Sequence, residues 1–347
     1  MRPIAFAVPG DLDTPTGGYR YDRALIAALK ALGHTVTVVP LREGFPFPDA
    51  AALDDAQARL ADVPEEAALV VDGLALGVLP AATLDGLKAP LIGLVHHPLA
   101  LEAGLSAAEA ATLAQSELAA VAHTRAVVVT SPNTAAILAA DYGVPDAVVA
   151  LPGFSPAWRA VESHPQTPPV IAVVGSLTPR KGHDVLIEAL AQLRGLAWTC
   201  EIVGGTHDGG AVRRALEDAI AAHALSDRVA LRGALDEDAL LALYGRASVF
   251  ALATHYEGFG MVFAEAMAAG LPVVGTTGGA VPDVVPPDAG ILVPPGDAEA
   301  FAAALRTILT DPPLRDRLAD GARTAGARFG DWDETARTVS KVVEALQ

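Results

Sequence analysis

Two hydrophobic periods take turns along the chain. Short, almost unbroken apolar runs (IAFAV, TVTVV, ALVVD, LIGLV, AVVVT and AVVAL) have the length and β-branched content of strands buried on both faces. Between them lie segments with apolar residues at helical spacing, from about Tyr19 to Leu32 and from Ala50 to Ala61, and an acidic, alanine-rich stretch, SAAEAATLAQSELAAVAH. TSPNTAAIL reads as a strand end running into a helix, with Ser131 as its cap and Pro132 at its first position. Strand and helix in alternation predict parallel β-α-β units. The rhythm stops between Leu151 and Pro169, where the chain is proline-rich and aperiodic, as a linker is. It restarts at VIAVV, continues through WTCEIV, RVALRG, SVFALAT and GILV, and ends in the amphipathic segment DWDETARTVSKVVEAL. The expected organisation is an α/β protein with domains over residues 1–160 and 161–330 and a last helix over 331–347.

Composition narrows the function classes. At 347 residues with 52% hydrophobic positions, the chain can bury two cores of ordinary size. Cys200 is its single cysteine, which excludes an intrachain disulfide or a thiolate zinc cluster and fits a reducing cytoplasm. Against 41 Asp plus Glu there are 24 Lys plus Arg, a formal charge of −17 that opposes a phosphate-backbone partner, so no nucleic acid is expected. There is no apolar run of membrane-spanning length and no basic amphipathic helix, so membrane association is expected to be weak or absent. The start, MRPIAFAVPGDLD, is too short in its apolar part for a secretory signal and reads as a first strand.

The chemistry concentrates in His255 to Val274, HYEGFGMVFAEAMAAGLPVV. Glu257 precedes a Gly-Phe-Gly turn, and Glu265 follows on a helix that Gly270 and Pro272 end, which predicts one carboxylate at a loop tip and the other in the first turns of the helix. A helix N-terminus offers unpaired N–H groups and the positive end of a dipole to an anion such as a diphosphate. Carboxylates beside it accept hydrogen bonds from hydroxyls, and phosphate with hydroxyls suggests a nucleotide-sugar. A Glu pair at this spacing can arise by accident among solvated acids. The strand SVFALAT leading into the turn tips the balance, because open α/β sheets bind ligands at the carboxyl ends of their strands.

Three further places carry similar signals. In VVGSLTPRKGHDV, Gly175 ends a strand, Gly182 lies just inside a helix start, and Arg180 and Lys181 between them suit an anion. Basic loop residues are ordinarily only solvated; in an acidic chain a paired Arg-Lys at a strand end is less easily set aside. After LIGLV, His96 and His97 stand at a strand end before Pro98, where one imidazole can meet a sugar hydroxyl and the other packs. No third ligand is marked by spacing, so no metal is expected. Gly17-Gly18 opens the first helix and lets backbone approach a ligand, although a plain turn explains two glycines as well. The absence of GxGxxG there argues against a dinucleotide-dependent dehydrogenase.

The run from Ser248 to Pro282 resembles the signature of the retaining family 4 glycosyltransferases: Glu-Gly-Phe-Gly, a second Glu, and a Gly-x-Pro-Val-Val strand, in order. The resemblance covers about the C-terminal half and, more loosely, the rest. It implies the GT-B fold, two Rossmann-like parallel-sheet domains facing across a cleft, with the C-terminal helix packed back on the first domain. It also implies roles. Glu257 would orient the donor sugar and Glu265 bind the ribose hydroxyls. His96, or His97 in its place, would contact the sugar. Gly17 and Gly18 would lie beside the phosphates and acceptor, and Leu231 to Leu235, with Gly233, would line the base pocket. Lys181-Gly182 matches the family's Lys-Gly, but Ser176 occupies the place of the family's arginine after Gly175, and Arg180 is expected to take over the diphosphate. Arg180, Lys181 and the amides of Gly258, Phe259 and Gly260 would stabilise the leaving group without metal or cofactor. Acceptor choice would rest on loops such as Gly10 to Arg20 and Leu99 to Ser106.

The expected function is a retaining, metal-independent transferase moving a sugar from a UDP- or GDP-linked donor to a glycan or small-molecule acceptor hydroxyl. A non-catalytic nucleotide-sugar-binding relative, which Ser176 would favour, and an epimerase or phosphorylase on the same scaffold are the alternatives.

Overall fold

The computed structural model describes residues 1–14, 16–102, 104–206 and 210–346. Pro15 and Ala103, within the two loops expected to choose the acceptor, lie outside the described residues. The chain forms two compact units: unit 1 is Met1–Gly153 with Gly330–Gln347, and unit 2 is Phe154–Phe329.

Unit 1 runs β1 (Ile4–Pro9), α1 (Gly17–Ala31), β2 (Val36–Leu41), α2 (Ala50–Ala61), β3 (Ala68–Asp72), then the short α3 (Gly73–Leu76) and α4 (Ala81–Asp85). It continues with β4 (Leu91–Val95), α5 (Ala107–Val121), β5 (Ala126–Val129), α6 (Pro132–Asp141) and β6 (Val148–Val149). All pairings are parallel, in the order β2-β1-β3-β4-β5-β6. β1, β3 and β4 are buried along their whole length, as unbroken apolar runs in a parallel sheet require. The helices start where the sequence supplies a capping oxygen: Thr16 for α1, Asp49 for α2, Ser106 with Glu109 in a capping box for α5, and Ser131 with Pro132 for α6.

Unit 2 runs β7 (Val170–Val174), α7 (His183–Ala191), β8 (Thr199–Val203), α8 (Ala211–Ala222), β9 (Val229–Gly233), α9 (Glu237–Arg246) and β10 (Val249–Ala251). It ends with α10 (Met261–Ala268), β11 (Val273–Thr276), α11 (Val281–Val284), β12 (Gly290–Val293), α12 (Ala298–Thr310) and α13 (Pro312–Gly326). Its sheet is parallel in the order β12-β11-β10-β7-β8-β9. Cys200 is buried on β8. From β7 the chain proceeds outward through β8 and β9, then returns to lay β10 on the other side of β7. That reversal is the topological switch point, and the loops after β7 and β10 meet there.

The last helix, α14 (Trp332–Ala345), belongs to unit 1 and packs along α1. Ala336, Val339 and Val343 lie in the same core as Leu25 and Leu29, and Ser340 Oγ meets the ring of buried His34 at 2.7 Å. Ser340→Ala is therefore expected to cost about 1 kcal/mol, the usual net worth of one such bond, as a lowered urea midpoint with an unchanged slope.

Candidate functional site

The site in unit 2 grows out of the two loops at the switch point. After β7, Gly175 gives way to a short 3-10 turn over Pro179–Lys181, and Gly182, at φ 61, is the N-cap of α7 rather than a residue within the helix. The sequence expectation set it inside, because the 3-10 turn displaces the helix start by one residue. A Cβ on Gly182 would stand 2.0 Å from the Ala253 carbonyl oxygen, so only glycine lets the two loops come this close. They are then laced together. The Arg180 carbonyl accepts from His255 N at 2.8 Å and from Thr254 Oγ1 at 3.0 Å, while Arg180 Nη1 donates to the Tyr256 carbonyl at 2.8 Å.

This lacing brings Lys181 Nζ to 2.6 Å from Glu257 Oε1, with Arg180 Nη1 3.5 Å from Oε2. Glu257 is only 5% exposed and forms a parallel bridge with Gly279, whose neighbour Ala280 donates its N–H to the Glu257 carbonyl at 2.9 Å. It lies in the loop between β10 and α10 but out of solvent: the Gly278-Gly279 turn closes over it, where Cβ atoms would run into the carbonyls of His255 and Glu257. Burial works to raise the Glu257 pKa, but Lys181 and Arg180, with hydrogen bonds from Lys181 and Thr254, outweigh it and hold the carboxyl below its ordinary value. Glu257 is thus a fixed anion between two fixed cations.

Around this core, Glu265 is buried in the second turn of α10, whose N-cap Gly260 has φ 93. The Phe259 side chain packs with Phe154 and Phe329, so what this turn can offer a ligand is backbone. The first N–H groups of α7 and α10 have no partners within their helices, which places two positive dipole ends beside the Arg180-Lys181 pair. Ser176 lends its carbonyl to His183 Nε2 at 3.2 Å. Burial holds the His183 pKa down to about 4, so its ring is neutral and donates from Nε2. His183 Nδ1 and Thr178 Oγ1 are buried in the same loop without a hydrogen-bond partner among the described residues. Gly175, Gly204 and Gly233 follow one another along the ends of β7, β8 and β9, Gly204 N donating to the Gly233 carbonyl at 2.9 Å.

Unit 1 holds a second polar group, at the ends of β3 and β4. His96 Nε2 lies 3.1 Å from Asp22 Oδ1 and 3.3 Å from Asp72 Oδ2, and Gly18 passes under its ring, where a Cβ would be 3.3 Å from His96 Cδ2. Gly17 thus opens α1, and Gly18 lies directly beneath His96. His97 points elsewhere, to Glu102 Oε2 at 3.1 Å. Asp22, Asp72, Thr254 and His183 were not singled out from sequence. The available signals were an Asp one turn after Gly-Gly and another closing ALVVD, both of which read equally well as ordinary acids.

Residues 154–325 match the family described as glycosyl transferases group 1. A D-inositol 3-phosphate glycosyltransferase of Xylanimonas cellulosilytica is 37% identical over 179 residues, a match that covers 51% of this chain and 42% of that protein. Among solved structures, sucrose-phosphate synthase from Thermosynechococcus elongatus superposes with a TM-score of 0.83 at 23% identity, covering 100% of this chain and 99% of its own. HepE of Anabaena in complex with UDP-glucose superposes with a TM-score of 0.81 at 19% identity, covering 100% of both chains. The chain spans less than half the length of the curated relatives it matches, and those matches cover about half of this chain, while the structures show the fold throughout. Among the described residues no helix is long and apolar enough to cross a membrane.

Proposed function

Because the chain belongs, through residues 154–325, to the glycosyl transferases group 1 family and has two parallel six-stranded sheets of the GT-B kind, we propose that it transfers a sugar from a nucleoside-diphosphate donor to an acceptor hydroxyl, with retention of configuration. The observation that carries this reading is the buried Lys181–Glu257–Arg180 group at the switch point, set beside the starts of α7 and α10. As the glycosidic bond to the diphosphate breaks, negative charge gathers on the β-phosphate oxygens. Two cations and two helix N-termini, brought together before the donor arrives and needing only a small shift from Glu257 to the phosphate, stabilise that charge, which is characteristically the largest single contribution to catalysis. Glu257 keeps the cations oriented before the donor arrives and accepts from sugar hydroxyls once the phosphate draws Lys181 and Arg180 towards itself. Glu265 takes the ribose hydroxyls, and the phosphate receives the acceptor's proton. The protein groups do this without a metal.

A thermal-shift screen with UDP, GDP, ADP and their sugars tests the reading. A ligand that binds only the folded state stabilises it by about 2.7 kcal/mol at a hundredfold excess over Kd. One base family is expected to raise Tm by several degrees, and Glu265→Gln to lose most of that rise at an unchanged ligand-free Tm. If none of the nucleotides raises Tm, the donor assignment is wrong.

A further inference from the structure

The polar cluster of unit 1 has an unusual donor balance. His96 Nε2 carries at most one proton, yet two buried carboxylates lie within reach of it, Asp22 at 0% and Asp72 at 1% exposure. Asp72 also accepts from Leu74 N through Oδ1 at 2.8 Å, so its Oδ2 is the oxygen turned towards His96. Asp22 Oδ2 is buried with no hydrogen-bond partner among the described residues, and Asp22 and Asp72 each bring an oxygen within 4.8 Å of the other, so each disfavours the other's charge. His96 is fixed from other directions too. Tyr21 meets its ring edge-on at 5.3 Å, Gly18 lies beneath it, and its carbonyl accepts from Thr130 Oγ1 at 3.1 Å and Thr134 Oγ1 at 3.3 Å. Its Nδ1 has no partner among the described residues, and the side chain keeps 18% of its surface exposed.

We propose that Asp22 and Asp72 are positioning residues: a carboxyl pair that clamps His96 Nε2 and thereby holds the ring as an imidazolium whose Nδ1–H is a fixed donor to a sugar oxygen of the substrate. The substrate in that statement rests on the transferase reading; the clamp does not. Each part of the cluster has a task. Asp22, reaching from α1, and Asp72, from the end of β3, converge on one nitrogen, so the ring cannot flip without losing both. A neutral ring with its proton on Nε2 would present Nδ1 as an acceptor; the second carboxylate favours the charged ring, which presents a donor. Burial opposes the charge on His96, but Asp22 and Asp72 together overcome it and raise its pKa to about 10, while burial raises Asp22 despite His96. Other titratable or charged groups on the elements packed here include Tyr19, raised by burial and by Asp72, Asp22, Glu43 and Asp11, Tyr21, raised by burial and by Asp22, Arg20 on the same helix, and the His97–Glu102 pair.

The sign of the pH effect follows. His96 and Asp22 both hold protons more tightly folded than unfolded. Their contribution to stability is greatest at low pH, and the His96 part is fully present below the ordinary imidazole value and lost as pH rises through about 10.

Nitrogen-15 NMR of the histidine rings on the ligand-free full chain tests the clamp, with His96→Gln used only to assign the signal among the nine histidines. At pH 8 the wild-type His96 ring is expected to carry protons on both nitrogens, and in Asp22→Asn its half-titration is expected to fall by at least one pH unit, with Asp72→Asn acting in the same direction. A neutral His96 at pH 8 in the wild type overturns the proposal whether or not either variant folds, and so does a titration that Asp22→Asn leaves unmoved. One equivalent of Zn2+ should leave both ring protons in place; displacement of the Nε2 proton would mean that Asp22, Asp72 and His96 form a metal centre instead. In a transfer assay the alkaline limb of the pH–rate profile should move to lower pH in Asp22→Asn. A limb that stays put while the NMR titration moves separates the clamp from the reaction and overturns its positioning role. Failure to find any transfer activity would count against the proposed function, while the NMR result still decides the clamp.

Discussion

Lys181→Met is expected to lower sugar transfer by about 10²–10³-fold, the loss seen when one preorganised stabiliser of developing charge is removed. The same change is expected to destabilise unit 2 by about 3–5 kcal/mol, because it leaves the Glu257 carboxylate buried without its closest cation. The two effects can be separated. Removing both charges in Lys181→Met/Glu257→Leu should recover most of the stability, since a buried ion pair is worth little net against apolar side chains, and Arg180 keeps its bond to the Tyr256 carbonyl. Activity should not return. Urea denaturation of the two single variants and the double variant, beside a transfer assay, reads both quantities. Simple addition of the two stability losses in the double variant would show that Lys181 and Glu257 are not coupled and would remove the pair from the account. Acid provides a second check on the wild type. With its pKa held below the ordinary carboxylate value, Glu257 contributes stability above that range and loses it as pH falls through the lowered value.

Gly182→Ala should be nearly as damaging, although it removes no chemistry. An alanine at φ 61 costs about 1–2 kcal/mol in backbone strain alone. Its Cβ would also stand 2.0 Å from a main-chain oxygen at Ala253, which no rotamer can relieve. A loss of about 3–5 kcal/mol is expected, in the range reserved for a named structural cause. Nucleoside-diphosphate binding should fall with it, because the change forces apart the loops that set Lys181 on Glu257. Gly195→Ala is the control: it meets nothing within 4 Å and should shift the urea midpoint very little. If Gly182→Ala denatures and binds like Gly195→Ala, close approach at this position is not what assembles the site.

The strands were legible because a strand covered on both faces writes itself as an apolar run; every run named from sequence lies on or overlaps an observed strand. α13 was not, and its residues explain why. PPLRDRLADGARTAG opens on two prolines and carries Gly321 and Gly326, which read as breaks. In the structure those glycines let the helix press against neighbouring backbone: a Cβ on Gly321 would strike the Asp288 carbonyl, and one on Gly326 would strike Ala268. The site divides in the same way. Lys181 and Glu257 could each be placed at the end of a strand, but their 2.6 Å contact spans 76 positions and depends on β7 and β10 being neighbours, a property of sheet order. Asp22 and Asp72 gave still less sign of themselves, since what distinguishes them from solvated acids is burial around His96 and not spacing.

The membership of α14 in unit 1 has a consequence for synthesis. The face of α1 that α14 covers stays open to water until residues 332–345 have left the ribosome, while unit 2 is one uninterrupted stretch, complete at Phe329. At roughly 5–20 residues per second, the interval from Gly153 to the end of α14 lasts about 10–40 s. The half that is translated first is thus finished last. During that wait the part of α1 that includes Tyr21, whose ring meets Trp332 of α14 at 5.4 Å, lacks its cover, and it is there that a chaperone would have to hold the chain.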